Sequence, residues 1–418
     1  MNKDHRILAF IISMYMISLP IIPDNLKYMN VKLSDILLSV VVLTILVTLV
    51  RNLTIKDLFN ILTKDSILIL MIIICFIMFV STTYSLEKYI SIRESIRFSI
   101  YILIYFSIKY LLNDKSSITI LLKSYIFISI VLSIIGIFQF CTGIRFQTRF
   151  TINYGFGPIT RETSTFENPN AFAAFLLMVF FPSLILFIKI NKKIHKIMCG
   201  IFCILIFTNI VLTGSRNAEV SVLLGLIILF ILYSWKFIYF IVAFGISSLF
   251  IPEIRYRISA VFDMSQNKSR FMLWGAGLEM IKEHPLLGVG NGNYVSYYDL
   301  YVQKYPQFKY HNYTRFAPHN TYLKVCSELG IASLCIFIIL LARIHIVVIK
   351  HVKTLHDSYY KYFYRGFIIS MIIFLFMNLF DCLFFLPKVT TYYWILIALL
   401  ESLVSLESYT FKKTNMNL

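Results

Sequence analysis

Long apolar segments alternate with short polar segments along almost the whole chain. A helix needs about 20 apolar residues to cross a bilayer. Twelve segments approach this length, at residues 7–22, 33–50, 66–80, 95–112, 118–140, 171–190, 197–212, 218–233, 237–251, 321–349, 362–380 and 389–406. Several are short, and flanking aromatic side chains must complete them. Because the bilayer core offers no water to backbone groups, all twelve are predicted to be helices.

This pattern predicts an all-α polytopic membrane protein of about twelve spans with one large outer loop. Composition agrees, because 58% of the 418 residues are hydrophobic and only 14% are charged. We divide the chain into residues 1–170 (helices one to five and the first outer loop), 171–251 (helices six to nine), 252–318 (the large loop) and 319–418 (the last three helices). The first apolar run resembles a signal peptide, but it ends in Leu-Pro-Ile-Ile-Pro without a small-residue cleavage site, so it is kept as helix one.

Basic residues concentrate in alternate connections, which predicts the orientation of the spans. Lysine and arginine accumulate on the cytoplasmic side of membrane proteins. The even number of spans then places both termini in the cytoplasm and the 252–318 loop outside. The predicted inner segments include Lys3, Arg6, Arg51, Lys56, Lys64, Lys192, Lys193, Lys196, Lys350, Lys353, Lys412 and Lys413.

The net charge of +18 and the seven cysteines add little chemistry of their own. The basic residues serve topology and attract anionic headgroups, so membrane lipids are expected partners. No basic stripe accompanies a nucleic-acid motif, and nucleic acid is not an expected partner. The cysteines are scattered, mostly in apolar runs, and are interpreted as packing residues. The sequence holds no Asp-x-Asp pair, nucleotide-binding P-loop or His-Glu-x-x-His motif, and neither a metal nor a cofactor is predicted.

The polar loop enters an apolar helix at Pro318-His319-Asn320, the strongest candidate site. Proline is favoured in the first helical turn. The positive end of the helix dipole disfavours imidazolium there, so His319 is predicted to be a neutral ring able to accept a proton. Asn320 is a candidate for orienting the ring or an acceptor. The same three residues are also consistent with a plain cap on a membrane helix.

Three arginines flank predicted outer helix ends. Arg216 follows a Thr-Gly-Ser turn, Arg161 precedes Phe166-Glu-Asn-Pro-Asn170, and Arg270 begins the predicted helix of the large loop. Arginine at membrane depth is costly and is usually paired or functional. The alternative is that these side chains extend towards lipid headgroups.

The large loop contains an amphipathic segment, a glycine-rich segment and an aromatic segment. Residues 269–284 predict a helix capped by Ser269 and stopped by Pro285; an interfacial helix lying on lipid is the alternative. Its apolar stripe is Phe271, Trp274, Leu278 and Ile281. Residues 285–293 resemble a phosphate-binding loop, but no strand precedes them, and we predict a tight turn. The aromatic residues of 294–316 suit either a sugar groove or a membrane-surface belt.

These features point to one kind of reaction at the outer face. The outer side of the membrane lacks ATP and nucleotide sugars, so a transfer reaction there needs a donor that carries its own leaving group, such as a lipid diphosphate. Arginines neutralise a departing diphosphate. A histidine base then takes the proton of an acceptor hydroxyl.

The order of the motifs also carries a family resemblance. His319-Asn320, followed by nine residues, Gly330 and Ser333, resembles the His-Asn-x9-Gly-x-x-Thr/Ser signature of the bacterial O-antigen ligase and polymerase superfamily. Three further blocks match in the same order, together spanning about residues 161–333: Phe166-Glu-Asn-Pro-Asn170, Thr213-Gly-Ser-Arg216, and Arg270 with Trp274 followed by Pro285-Leu-Leu-Gly-Val-Gly290. The first five and last two helices carry no such signature.

The resemblance implies a metal-independent, inverting membrane glycosyltransferase of the GT-C type that uses glycans linked to undecaprenyl diphosphate. The arginines matching Arg216 and Arg270 would bind the diphosphate, and His319 would activate the acceptor. The residues expected to contact substrate are Arg161, Asn170, Arg315 and Asn320. Ligation of the glycan to a lipid core and polymerisation of repeat units both remain open. A glycolipid flippase is the alternative from another class. Charged helix interiors, broken helices and internal repeats would favour it, but the predicted midplane is nearly free of ionisable residues and the charges cluster at one face.

Overall fold

The computed structural model describes residues 3–22, 27–28, 31–112, 114–144, 150–153, 158–233, 238–239, 242, 246, 264–311 and 313–416. The N-terminal helices are α1 (Lys3–Ile21), α2 (Leu33–Asn52), α3 (Ile55–Lys64), α4 (Ser66–Ser81), α5 (Lys88–Leu111) and α6 (Lys115–Thr142). The central helices are α7 (Pro169–Lys189), α8 (Lys193–Leu212), α9 (Arg216–Leu232), α10 (Met264–Glu283) and α11 (Tyr294–Lys304). The last helices are α12 (Thr321–Thr354), α13 (Ser358–Met377) and α14 (Pro387–Met416).

Two short antiparallel hairpins and two 3₁₀ turns complete these elements. Strands β1 (Lys27–Tyr28) and β2 (Val31–Lys32) join α1 to α2. Strands β3 (Phe150–Asn153) and β4 (Pro158–Arg161) lie between α6 and α7, and their register pairs Phe150 with Arg161. The 3₁₀ turns are Pro306–Phe308 and Leu383–Phe385. The all-α membrane fold predicted from the sequence is confirmed.

Helices α7 and α14 form the centre of the bundle. In each, 83% of the apolar window is buried, against 17% in α2, which lies at the periphery. Helix α13 packs closely against α7 because Gly366 faces the backbone at Pro182; a Cβ there would lie 2.4 Å from Pro182 Cα. Rings from three helices and the outer loop meet above this core: Tyr392 contacts Phe175 and Tyr125, and Phe175 contacts Phe166.

Polar contacts gather one set of helix ends on the same face. Lys109 near the end of α5 donates to Asp65 before α4 (2.6 Å) and also binds Glu401 of α14. Lys115 at the start of α6 binds Asp357 before α13 (2.8 Å). The turns that precede α5, α7, α9 and α14 therefore lie together on the opposite face, which we call the outer face.

Eight described helices are long and apolar enough to span a membrane, or nine if α3 and α4, bent by 94°, count as one span. Helix α5 covers its predicted run but carries Arg93, Glu94, Arg97 and Lys109. Helix α9 covers another run with only 17 residues. The predicted run 237–251, like the first part of the large loop, lies mostly outside the described residues. Within the described residues, the difference from twelve thus comes from the charge of α5 and the short length of α4 and α9.

Helix α10 differs from its prediction at its start and on its packing face. It begins at Met264, so Ser269 is not its cap; residues 264–269 hold no proline or glycine to stop a helix. Its end before Pro285 is as predicted. The predicted stripe is wrong in part, because Phe271 and Leu278 are exposed. The buried side chains are instead Leu273, Ala276 and Met280. Glycines 275 and 277 admit Phe308 and Leu323 to this face, which a search for large apolar side chains overlooks.

Helix α12 is broken at Gly330, and the glycine-rich segment fills the break. Gly330 has φ 84° and ψ 170°, a conformation that is essentially restricted to glycine. The backbone N–H groups of Val289 and Gly290 donate to the carbonyls of Ser327 and Glu328 (2.9 and 2.8 Å). Ile331 N–H donates to Pro285 O (2.9 Å). Residues 285–290 thus run beside the break as a packed structural segment.

The rest of the glycine-rich segment is fixed to α12 and α5. Glu328 accepts hydrogen bonds from the N–H groups of Gly292 (2.8 Å) and Tyr294 (3.0 Å). Asn293 accepts from the N–H of Glu87 (2.7 Å) and donates to Ser91 Oγ (2.8 Å). The predicted tight turn is therefore a connector whose N–H groups are largely used by protein acceptors.

Candidate functional site

His319 lies at the outer face, immediately before the cap of α12. The helix begins at Thr321, and the Asn320 side chain accepts from Leu323 N–H (2.9 Å). Asn320 is therefore a helix cap, and Pro318 lies before the helix and not in its first turn. His319 has φ 49°, an uncommon left-handed conformation for a non-glycine residue. Its side chain is 34% exposed, which leaves the ring accessible from outside.

The partner of the His319 ring is Asp381, which the sequence analysis missed. Nδ1 of His319 lies 3.3 Å from Asp381 Oδ1. Burial acts to raise the pKa of Asp381, but the neighbouring His319 and the Asn170 amide outweigh it and hold that pKa below its ordinary value. Asp381 is the only acidic residue between Asp357 and Glu401. This isolation of a carboxylate in an apolar outer turn is the feature of the sequence that could have identified Asp381 as a site residue.

The turn that carries Asp381 also fixes the start of α12. Thr321 N–H donates to Asn378 O (2.9 Å), and Thr321 Oγ1 donates to Asn378 Oδ1 (2.6 Å). The backbone N–H of Cys382 donates to Asp381 Oδ1 (2.8 Å). Because the carboxylate and the backbone beside the histidine are held by one turn, the two side chains keep a fixed relation.

Asn170 joins this pair to the arginine side of the site. Its Nδ2 donates to Asp381 Oδ2 (2.9 Å). Its Oδ1 accepts from Arg161 Nη2 (3.0 Å) and from Ser215 Oγ (2.9 Å). Arg161 Nε also donates to Thr213 O (2.8 Å). The Asn-Pro-Asn entry to α7 and the Thr-Gly-Ser-Arg turn thus form one hydrogen-bonded unit with Asp381 and His319.

Arg216 and Arg270 bring further positive charge to this unit. Arg216 is the first residue of α9, after the cap Ser215, and is half-buried. Burial lowers the pKa of Arg270; the charge of Asp381 raises it, and that of Arg216 lowers it. Arg270 thus lies within electrostatic range of both residues, with its guanidinium 6.0 Å from the Phe380 ring centroid. Arg161 therefore joins the unit by hydrogen bonds, and Arg270 lies near both Asp381 and Arg216.

Aromatic side chains connect α10 and the end of the large loop to His319. Trp274 Nε1 donates to Pro318 O (2.9 Å), which ties α10 to the residue before the histidine. The Phe316 ring lies 5.5 Å from the His319 ring, and it stacks on Tyr313 at 4.0 Å. A row of rings therefore leads to His319 along one side, a surface on which a sugar can stack.

Arg315 has different partners from the other arginines. Its guanidinium binds Glu87 (2.7 Å), and its backbone N–H donates to Asp299 (3.0 Å). No contact in the described part of the chain joins it to the His319 network. A substrate role for Arg315 stays a prediction; its visible contacts fix the end of the loop to α5 and α11. Among the described residues no cluster of histidine, cysteine or carboxylate side chains has the composition of a metal site.

The family model for the O-antigen ligase domain matches residues 201–338. This range contains Arg216, Arg270, His319 and the broken helix at Gly330. Residues 201–338 are thus similar to the O-antigen ligase domain, in agreement with the superfamily that the motifs resemble. No curated protein sequence matches the chain. The matched range covers the second half of α8, α9, α10, α11 and the first half of α12, while Arg161, Asn170 and Asp381 lie outside it.

Proposed function

We propose that this protein belongs to the O-antigen ligase and polymerase superfamily and transfers a glycan from undecaprenyl diphosphate to an acceptor hydroxyl at the outer face. The observation that carries the proposal is the carboxylate–histidine pair joined through Asn170 to an arginine cluster. A sugar hydroxyl needs a base to become a nucleophile, and a diphosphate leaving group needs positive charge. A base and positive charge of this kind lie close together here, with Arg161 hydrogen-bonded to the unit and Arg270 in electrostatic range of Asp381.

We propose a role for each group in an inverting, metal-independent reaction. If Nδ1 of His319 donates its hydrogen to Asp381, Nε2 carries a lone pair. Nε2 can then take the proton of the substrate hydroxyl that attacks the donor. The acceptor oxygen forms a bond to the anomeric carbon as the bond from that carbon to the diphosphate oxygen breaks. Arg161, Arg216 and Arg270 then neutralise the departing lipid diphosphate.

The test is transfer by the purified full-length protein, with a synthetic undecaprenyl-diphosphate glycan as donor. General-base assistance is worth about 10²–10⁴-fold. We expect His319→Gln to lose that factor and the acid limb of the pH–rate profile, while still binding the donor. His284→Gln, at an exposed position after α10, is the matched control. A His319→Gln protein with the wild-type rate and pH profile would reduce the ring to a structural role.

The matched domain favours ligation to a lipid core, with polymerisation of repeat units as the second candidate. Cells that lack the protein separate the two reactions. Long lipid-linked chains with an uncapped core indicate a ligase, and single repeat units indicate a polymerase. A broken helix and charges within helices are also features of transporters. In α12, however, residues 285–290 pack into the break at Gly330. The break therefore supports the site from a distance and does not itself form a binding site.

We place the outer face in the periplasm and both termini in the cytoplasm, because the opposite face carries the lysine-rich connections. In a cysteine-free background, a cysteine at the exposed Gln303 should react with a membrane-impermeant thiol reagent in intact spheroplasts. A cysteine at the exposed Lys192 should react only after lysis. The reverse labelling pattern would show that the His319 face lies in the cytoplasm. It would contradict the proposed reaction, because the lipid-linked donor would then be on the other side of the membrane.

A further inference from the structure

A cavity of about 750 Å³ lies between α1, α2 and α5, apart from the His319 site. This volume is typical of ligand pockets. Its walls are largely apolar, with Leu38 and Leu46 on α2 and Ile96 and Ile100 on α5. Ile96 and Leu46 are 48% and 45% exposed, so the cavity is a groove open to the outside of the bundle. Neither His319 nor the three site arginines line it, which makes it distinct from the site above.

Two arginines one helical turn apart line this groove. At a rise of about 1.5 Å per residue, Arg97 lies about 13 Å below the outer end of α5, and Arg93 one turn above it. Arg97 is held by Glu94 (2.7 Å). Arg93 is exposed, and no residue in the described ranges pairs with it. An unpaired arginine in a membrane-spanning helix is costly and is usually functional.

The groove ends beside the loops of the catalytic unit. Glu167 and Lys388 line it at this end, and Lys388 donates to Thr165 O (3.0 Å). Glu167 lies three residues before Asn170, and Lys388 seven after Asp381. An amphiphile in the groove thus has its polar end next to the loops that hold the His319 partner.

We propose that this groove binds the phosphate-bearing lipid anchor of the acceptor. This inference rests on the proposed transfer reaction, which needs two amphiphiles at once. The arginine cluster near His319 serves the donor diphosphate. Arg93 supplies a separate cation for a second phosphate, with the Glu94-bound Arg97 one turn further along α5. Guanidinium groups suit phosphate because they bind two of its oxygens together. The lipid chains then lie along the apolar walls of α2 and α5.

The kinetic test separates acceptor from donor. With a phosphorylated glycolipid acceptor, Arg93→Gln should raise the acceptor KM about tenfold, the loss expected for one charge-assisted hydrogen-bond partner. Its kcat and donor KM should stay unchanged. Arg51→Gln, at an exposed arginine of α2, is the control. A rise in donor KM, or no change in either KM, would overturn the proposal.

A second variant tests the apolar wall. Ile96→Trp should fill the groove and weaken use of the lipid acceptor, but leave a water-soluble, delipidated acceptor unaffected. Ile204→Trp places the same side chain at an exposed isoleucine of α8 that does not line the groove. Equal effects of the two tryptophan variants would show that the groove has no special role.

Lipid binding is also measurable without turnover. In phosphatidylcholine nanodiscs, diazirine-labelled phosphatidic acid should crosslink to α2 and α5. Unlabelled phosphatidic acid should compete, whereas inorganic phosphate should not, and Arg93→Gln should reduce the yield several-fold. Crosslinking without transferase activity would refute the proposed reaction and leave the lipid site standing. Equal crosslinking by labelled phosphatidylcholine would refute the lipid site itself.

Discussion

The amide of Asn170 decides how charge is distributed in the site. Its oxygen accepts from Arg161 and Ser215, so its nitrogen has to face Asp381. A neutral side chain thus stands between the carboxylate and Arg161 and leaves the charge of Asp381 directed at His319. The Asn-Pro-Asn block of the sequence is explained by this position and by the Asn168 cap of α7.

At the residue scale, the first prediction concerns Asp381. Asp381→Asn should keep the fold but lose the carboxylate that holds His319 in the correct tautomer. In a Ser-His-Asp triad the equivalent change costs about 10⁴ in kcat, and we expect a loss of up to that size here. Asp299→Asn, at a carboxylate that contacts Arg315, is the control. Transfer near the wild-type rate would mean that the ring needs no carboxylate.

The second prediction concerns the form of the positive charge. Arg216→Lys and Arg270→Lys keep the charge but not the two-pronged geometry of guanidinium. Each should lose about 2–4 kcal/mol of transition-state stabilisation, measured as kcat/KM for the donor. Arg343→Lys, on the inner face beside Ser66, should be silent. An active lysine variant would assign that arginine to headgroup contact.

At the element scale, the break in α12 makes Gly330 irreplaceable. A Cβ on this residue would lie 2.0 Å from Leu286 O, and its backbone conformation excludes side chains. Gly330→Ala should therefore cost more than the roughly 1–3 kcal/mol of backbone strain alone, as measured by thermal unfolding in detergent. Gly143→Ala is the matched control, because its φ is also positive (70°) but nothing lies within 4 Å. Equal losses would show that the contact with Leu286 carries no energy.

The packing of α10 against α11 predicts a pH response. The hydrogen bond from Lys304, helped by those from Tyr305 and Tyr301, lowers the pKa of Glu283 to about 2. Its folded pKa is below its unfolded one, so this stabilisation is complete above about pH 4.5 and is lost as the pH falls towards 2. Wild type and Glu283→Gln should therefore differ in pepsin cleavage of the loop near pH 5 and converge near pH 2. A constant difference would contradict the linkage.

At the scale of the whole molecule, the sequence predicted what depends on local pattern. The apolar runs correctly predicted helices. The order of the motifs correctly predicted that Arg216, Arg270 and His319 lie on one face. Asp381 was not predictable in the same way, because 62 residues separate it from His319 and only the packing of α13 and α14 brings the two together. The face of α10 was missed because small residues, and not large apolar ones, define it. The groove beside α5 was not predictable from the sequence, because it forms only where α5 packs beside α1 and α2.

The break at Gly330 also isolates the reaction chemistry mechanically from the bilayer. Residues 331–354 follow the membrane, whereas residues 321–329 are bound to the glycine-rich segment and the turn before α14. If residues 331–354 of α12 tilt to match a membrane of different thickness, His319 therefore need not move relative to Asp381. We expect transfer rates to change little between nanodiscs of short-chain and long-chain phosphatidylcholine, although such mismatch tilts ordinary spans. A steep dependence of rate on thickness would show that strain passes through the joint.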